Sequence, residues 1–144
     1  MHIRQASILD AAQIAILSAQ LGYAASDAEV RCRLSVLLAL PTSVVLVADA
    51  GAELSGWGSA EFRVSLETGP RVEITGLVVD ASTRRLGIGR LLVSHLERWA
   101  ADKNCPILLV RSNVVRQESH PFYEGLGYER TKTQHSYRKV LNAV

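Results

Sequence analysis

The spacing of apolar residues changes period repeatedly along the chain. His2 to Ala6 reads as a short opening strand. Asp10 then stands as an N-cap before Ile14, Leu17 and Leu21, which recur at helical spacing until Gly22 breaks the pattern. Ser26 with Glu29 forms a capping-box signature, and Val30, Leu34, Leu37 and Leu38 make a second apolar stripe that ends before Pro41. The period then falls toward two. Ser43–Ala48, Leu54–Val64 and Arg71–Val79 read as strands, joined by turns at Ala50-Gly51-Ala52 and Thr68-Gly69-Pro70, which makes an antiparallel meander. Helical spacing returns after Gly87 with Ile88, Leu91, Leu92, His95, Leu96, Trp99 and Ala100 on one face. Ile107–Val110, a continuous apolar run, predicts a central strand covered on both faces. A short helix around Phe122 and Tyr123, stopped by Gly125 and Gly127, precedes a last β stretch from Gln134 to Leu141.

This order predicts an α/β (α+β) fold, a mixed and mostly antiparallel sheet flanked by helices. At 144 residues, 48% hydrophobic and 21% charged, the chain suits one packed domain over residues 1–144 that needs no disulfide or metal. The net charge of +2 gives no broad basic field, so nucleic acid is not an expected partner. Cys32 and Cys105 lack metal-like or disulfide spacing and read as small buried apolar groups, and the four histidines form no zinc-type cluster. Leu34–Leu40 is far shorter than a membrane span, and Arg4 interrupts any secretory core, so a cytoplasmic protein without membrane contact is expected.

Candidate chemistry concentrates in Val78-Val79-Asp80-Ala81-Ser82-Thr83-Arg84-Arg85-Leu86-Gly87-Ile88-Gly89-Arg90. A strand ends, a basic loop follows, and two glycines stand where a helix begins. A helix start offers unpaired N–H groups and the positive end of the macrodipole, a fit for phosphate. Arg84, Arg85 and Arg90 add charge for a dianionic group. An ordinary strand-to-helix loop with solvated arginines is the competing reading. A P-loop would need Gly-Lys-Ser/Thr, and a dinucleotide fingerprint would need three spaced glycines in a first βα unit; neither is present.

Three segments together resemble one family. Arg84-x-x-Gly87-x-Gly89 is similar to the acyl-CoA signature of the GNAT acetyltransferase superfamily. His120-Pro121-Phe122-Tyr123-Glu124-Gly125-Leu126-Gly127-Tyr128 resembles its His-x-Phe-Tyr-x-x-x-Gly-Phe/Tyr segment, and Ile3-Arg4-x-Ala6-x-x-x-Asp10 its first strand and helix entry. The resemblance covers essentially the whole chain and implies a single N-acetyltransferase domain. It also implies acetyl-CoA as cosubstrate, no metal, direct transfer to a primary amine, and a homodimer as the common assembly. Neither cysteine lies in a motif for an acyl-enzyme.

By that resemblance, the backbone of Leu77, Val78 and Val79 would pair with pantetheine and offer an oxyanion donor. Arg84 and the N–H groups from Arg85 through Leu86, Gly87, Ile88 and Gly89 to Arg90 would hold the pyrophosphate, and Asn113 would contact pantetheine or simply close a strand. Tyr123 matches the position that protonates the departing thiolate; packing beside Phe122 is its alternative. Glu73 is the candidate base, with Glu61 and His120 behind it, and a solvated strand glutamate is the alternative. Arg116 stands where many relatives carry Asn, and Pro121 suits only a first helical turn. The acceptor stays open among small polyamine-like or amino-acid-like molecules, antibiotic amines and protein amines. The segments Leu21–Ala28 and Phe62–Arg71, on the acceptor side, carry no recognisable code. An acyl-CoA-binding module without catalysis is the second reading, and a nucleotide-binding domain a third.

Overall fold

The computed structural model describes residues 1–111 and 119–142. The chain forms two compact units, Met1–Arg111 and Ser112–Val144. The first contains five strands in the order β1 (His2–Gln5), β2 (Ser43–Asp49), β3 (Leu54–Ser65), β4 (Gly69–Val79) and β5 (Leu108–Val110). The first three pairings are antiparallel and β4 with β5 is parallel. Helices α1 (Ala11–Ala19), α2 (Asp27–Leu38) and α3 (Ile88–Asp102) complete this unit. It is the mixed, mostly antiparallel sheet with flanking helices that the spacing predicts.

Alternation assigns the sheet two coats. Ile14, Leu17, Val30 and Leu34 of α1 and α2 pack on Val45, Val47 and Val78, with Trp57 at the margin. The Trp57 indole N–H donates to Ser18 Oγ at 3.2 Å, which fixes α1 over β3. On the opposite face, Leu92 and Leu96 of α3 are fully buried, each side chain contributing roughly 2–3 kcal/mol by leaving water. Gly56 lets that helix come close: a Cβ there would stand 2.6 Å from the Val78 carbonyl oxygen and 3.3 Å from Leu92 Cδ1.

Arg4 locks the open end of the sheet. Its Nη atoms donate to both oxygens of Asp10 at 2.9 Å, and Nε donates to Asp49 at 2.9 Å, across to β2. Asp10 is therefore not the side-chain cap of α1. A 3-10 turn, Ile8–Asp10, precedes the helix, and the buried Asp10 carboxylate reaches back to accept from the Ser7 N–H at 2.8 Å. Arginine partners outcompete an N-cap role because an ionic hydrogen bond is the stronger one.

Other expectations are corrected. Among the described residues β5 is the outermost strand, three residues long, and Ile107 is 54% exposed, so this run is not a central strand covered on both faces. An apolar run reports hydrophobicity but not neighbours. Cys105 is buried as expected, whereas Cys32 is exposed, because it lies two residues from both Val30 and Leu34 and so faces away from their stripe. Residues 134–141 form no strand and are all exposed; no ladder partner is described for them, and a strand requires one to satisfy its N–H groups.

The second unit contains α4 (Ser119–Gly125), with Pro121 in its first turn, where the missing N–H costs nothing. Gly127 takes φ +91° and ends the helix: Tyr128 N–H donates to the Tyr123 carbonyl at 3.1 Å and Gly127 N–H to that of Glu124 at 3.0 Å. This double bond pattern is a Schellman cap.

Candidate active site

The ladder between β4 and β5 runs only from Val72 opposite Leu108 to Ile74 opposite Val110. It stops where β4 bulges: Ile74 faces Ala60 and Gly76 faces Ser59, so Thr75 is an extra residue on β4. Thr75 Oγ1 and Ser59 Oγ share a hydrogen bond of 2.7 Å that holds the bulge. Past it, Gly76 to Val79 pair with β3 on one edge, and no described strand occupies the other. Among the described residues, then, nothing pairs with the outer edge of Leu77, Val78 and Val79, whose backbone groups could meet an extended ligand.

That edge leads straight into the basic loop. Asp80 N–H donates to the Ser55 carbonyl at 2.8 Å, and Ala81–Thr83 make a 3-10 turn. The Asp80 carboxylate accepts from Gln20 Nε2 at 3.0 Å and from Ser82 Oγ at 2.7 Å, and these bonds hold its pKa below the usual value. Gln20 Oε1 in turn accepts the Ala81 N–H at 2.8 Å, so the C-terminal end of α1 grips the loop twice. Spacing offered no sign of this tie, since the partners lie 60 residues apart.

Arg84 is extended, Arg85 takes φ +67°, and Gly87 takes φ +80° at the cap of α3. Left-handed residues beside right-handed ones turn successive N–H groups toward one point, a nest for an anion. No side chain caps α3, so the donors of its first turn, Ile88, Gly89 and Arg90, are not consumed by a cap. A Cβ on Gly87 would meet nothing within 4 Å; open space lies over the loop, and the glycine serves the backbone angle. Arg84, Arg85, Leu86 and Arg90 are exposed around it. These groups fit a pyrophosphate, with donors at its oxygens and positive charge beside it. Among the described residues no group of three or more His, Cys, Asp or Glu could hold a metal ion.

A second polar centre occupies the face of β3 and β4 that carries α1 farther along. The Glu73 side chain is buried, and its oxygens receive Arg63 Nη1 at 2.6 Å and Arg111 Nε at 3.3 Å. Arg63 Nε also meets Glu61 at 3.3 Å. Glu61 lies directly opposite Glu73, and Arg63 opposite Arg71. Like charges face each other across the ladder, and the diagonal Arg63–Glu73 contact offsets that repulsion. Glu73 is therefore neither solvated nor unpartnered. The alternation Glu61-x-Arg63 and Arg71-x-Glu73 was visible in the sequence; the register that joins them was not.

In the second unit, Tyr123 and Tyr128 meet edge-on at 5.9 Å, and Phe122 and Tyr123 at 5.0 Å. Tyr123 and Tyr128 are the residues joined by the Schellman bond, so the tyrosine-to-glycine spacing holds Tyr123 by backbone and ring together. His120 is half-buried at the start of α4. Asn113 and Arg116 lie outside the described residues.

The model of the acetyltransferase (GNAT) family matches residues 13–128. The chain belongs to the GNAT acetyltransferase family. GNAT proteins are acyltransferases, and this is the family its three motifs resemble. The aminoglycoside N(6')-acetyltransferase type 1 of Salmonella typhimurium is 28% identical over 73 residues, 51% of this chain and 50% of that protein. The chain thus aligns with about half the length of the curated relatives it matches. An aminoglycoside antibiotic 6'-N-acetyltransferase from Acinetobacter haemolyticus has a TM-score of 0.86 at 23% identity, over 99% of this chain and 100% of that one. A transcriptional regulator from Bacillus halodurans reaches 0.88 at 21% identity, covering 96% and 99%. An aminoglycoside N-acetyltransferase solved in complex with CoA reaches 0.83 at 23%, covering 97% and 100%. These likenesses establish the GNAT fold.

Proposed function

We propose that this GNAT protein transfers the acetyl group of acetyl-CoA directly to a primary amine. The observation that carries the reading is the continuity of the opened β4 edge, starting at the Thr75 bulge, with the uncapped start of α3 at Gly87. An extended thioester arm and a pyrophosphate need these two surfaces in that order. A relative of this fold is named as a CoA complex, which supports the same ligand here.

In this reading the nest from Arg85 to Arg90, flanked by Arg84, binds the pyrophosphate, and Leu77, Val78 and Val79 pair with the pantetheine arm. An N–H of that edge polarises the acetyl carbonyl. The amine lone pair forms the C–N bond, the C–S bond breaks, and the thiolate takes a proton from the Tyr123 hydroxyl. The proton leaving the amine goes to a carboxylate, for which Glu73 is the candidate. Because Arg63 and Arg111 hold Glu73, one of them must yield as the amine approaches.

Thiol release from acetyl-CoA across a panel of amines, run beside calorimetric binding of acetyl-CoA, tests this. Gly87→Val should weaken binding at least tenfold, since a β-branched residue opposes φ +80° and crowds the nest. Tyr123→Phe should lower kcat more than it changes affinity for acetyl-CoA. Tight binding with no amine acetylated would replace catalysis by a binding role.

A further inference from the structure

We infer that the acceptor is an amine that also carries a carboxylate, an amino-acid-like molecule whose carboxylate is read by Arg63 and Arg111. The inference rests on the proposed acetyl transfer and names its substrate class. Three observations support it.

The first is position. Arg111 follows Val110, which pairs with Ile74, so its backbone stands level with the Thr75 bulge where β4 and β5 part. Glu73 is two residues before Thr75, roughly 7 Å along the strand. A short amino acid anchored at the arginines would bring its amine to the mouth of the opened edge.

The second is charge. Arg63, Arg71 and Arg111 stand against Glu61 and Glu73, so this patch is net positive. A polycation such as an aminoglycoside would meet repulsion here, whatever the named activities of relatives. A zwitterion would not: its carboxylate adds to the arginines, and its ammonium takes the place that a guanidinium gives up at Glu73.

The third is cost. Glu61 faces Glu73 and Arg63 faces Arg71 directly, whereas exchanging two residues on one strand would set opposite charges face to face at no loss of polarity. Fold stability alone does not favour this arrangement. Meanwhile the Arg63 and Arg111 side chains are 48% and 58% exposed over a Glu73 that is 6% exposed. The buried carboxylate aims two accessible forks. Arg111 engages it through Nε, so its terminal nitrogens retain donors for a second carboxylate.

The test pairs short α- and ω-amino acids with their carboxamides, and adds kanamycin as a polycation. Affinity for the protein saturated with CoA is measured by calorimetry, and turnover by thiol release. The carboxylate compounds should bind at least tenfold tighter than the carboxamides. Arg111→Gln and Arg63→Lys should each raise KM for the carboxylate acceptor about tenfold more than they raise it for the matching carboxamide. Thermal unfolding confirms that both variants fold, and Arg111→Gln, at an exposed site, keeps the test independent of the Arg63 ladder. Equal affinity for acid and amide, equal losses on both, or preferred acetylation of kanamycin would overturn the inference. If no compound releases thiol, acetyl transfer fails, and the binding preference alone still decides whether the arginines read a carboxylate.

Discussion

Arg85 holds φ +67°, a left-handed angle that costs an L-residue about 1 kcal/mol relative to glycine. The angle lies within the nest that would meet the pyrophosphate, so geometry and charge favour different residues there. Arg85→Gly should raise stability by up to about 1 kcal/mol, read as a rise of a few degrees in Tm, and weaken acetyl-CoA binding severalfold. Unchanged binding would remove Arg85 from the anion site. The left-handed angle was not legible in the sequence, because nothing in Thr83-Arg84-Arg85-Leu86 marks it. The partners of Glu73 were equally hidden. Its position on β4 was readable, but its burial and its two arginines depend on a register fixed by β3 and β5.

At the level of elements, α3 was the most legible. Its apolar positions repeat over a long helix, and Ile88, Leu92, Leu96 and Ala100 are all buried. Short runs were less so, as the exposed edge at Ile107 illustrates. Helix ends follow one device that the sequence only partly shows. Gly22, Asn104 and Gly127 each take a positive φ while paired bonds run back into the helix, and only the two glycines advertise it. The α1 end matters beyond its own helix, because Gln20 holds both Asp80 and Ala81 at the root of the basic loop. Gln20→Ala should weaken acetyl-CoA binding threefold to tenfold while Tm falls by only a few degrees. Calorimetry and thermal unfolding together check this; a drop in Tm without a change in affinity would make the tie purely structural.

Across the whole molecule, acid should be the condition that undoes the fold. Asp10 and Asp49 are held below the usual aspartate pKa, chiefly by hydrogen bonds from Arg4. A carboxyl whose folded pKa is depressed contributes stability above its unfolded value, and that contribution is lost as pH falls through the folded one. Denaturant midpoints should therefore be level from neutrality to about pH 5 and fall below about pH 4. Asp10→Asn should lose roughly 2–4 kcal/mol at pH 7, since it leaves Arg4 half-satisfied, and should flatten the acid limb. A wild-type profile level down to pH 3 would count against this. The near-neutral total of +2 foretold none of it: one cluster of arginines surrounds the α3 start, and another stands over Glu73.

Thr75 sets the parity of β4. Glu73 and Val78 are an odd number of residues apart, so on a regular strand they would point to opposite sides. The one extra residue puts both toward the α1 and α2 face. Ironed out, with Thr75 paired regularly to Ala60 and the pairing of Gly76 to Val79 kept, the strand would turn Arg71 and Glu73 into the layer beneath Leu96 and send Val72 and Ile74 outward. The acceptor-side charges and the interior of the α3 layer would trade places. A single insertion in one strand thus lets a hydrophobic roof and an ionic floor share the same side of one sheet.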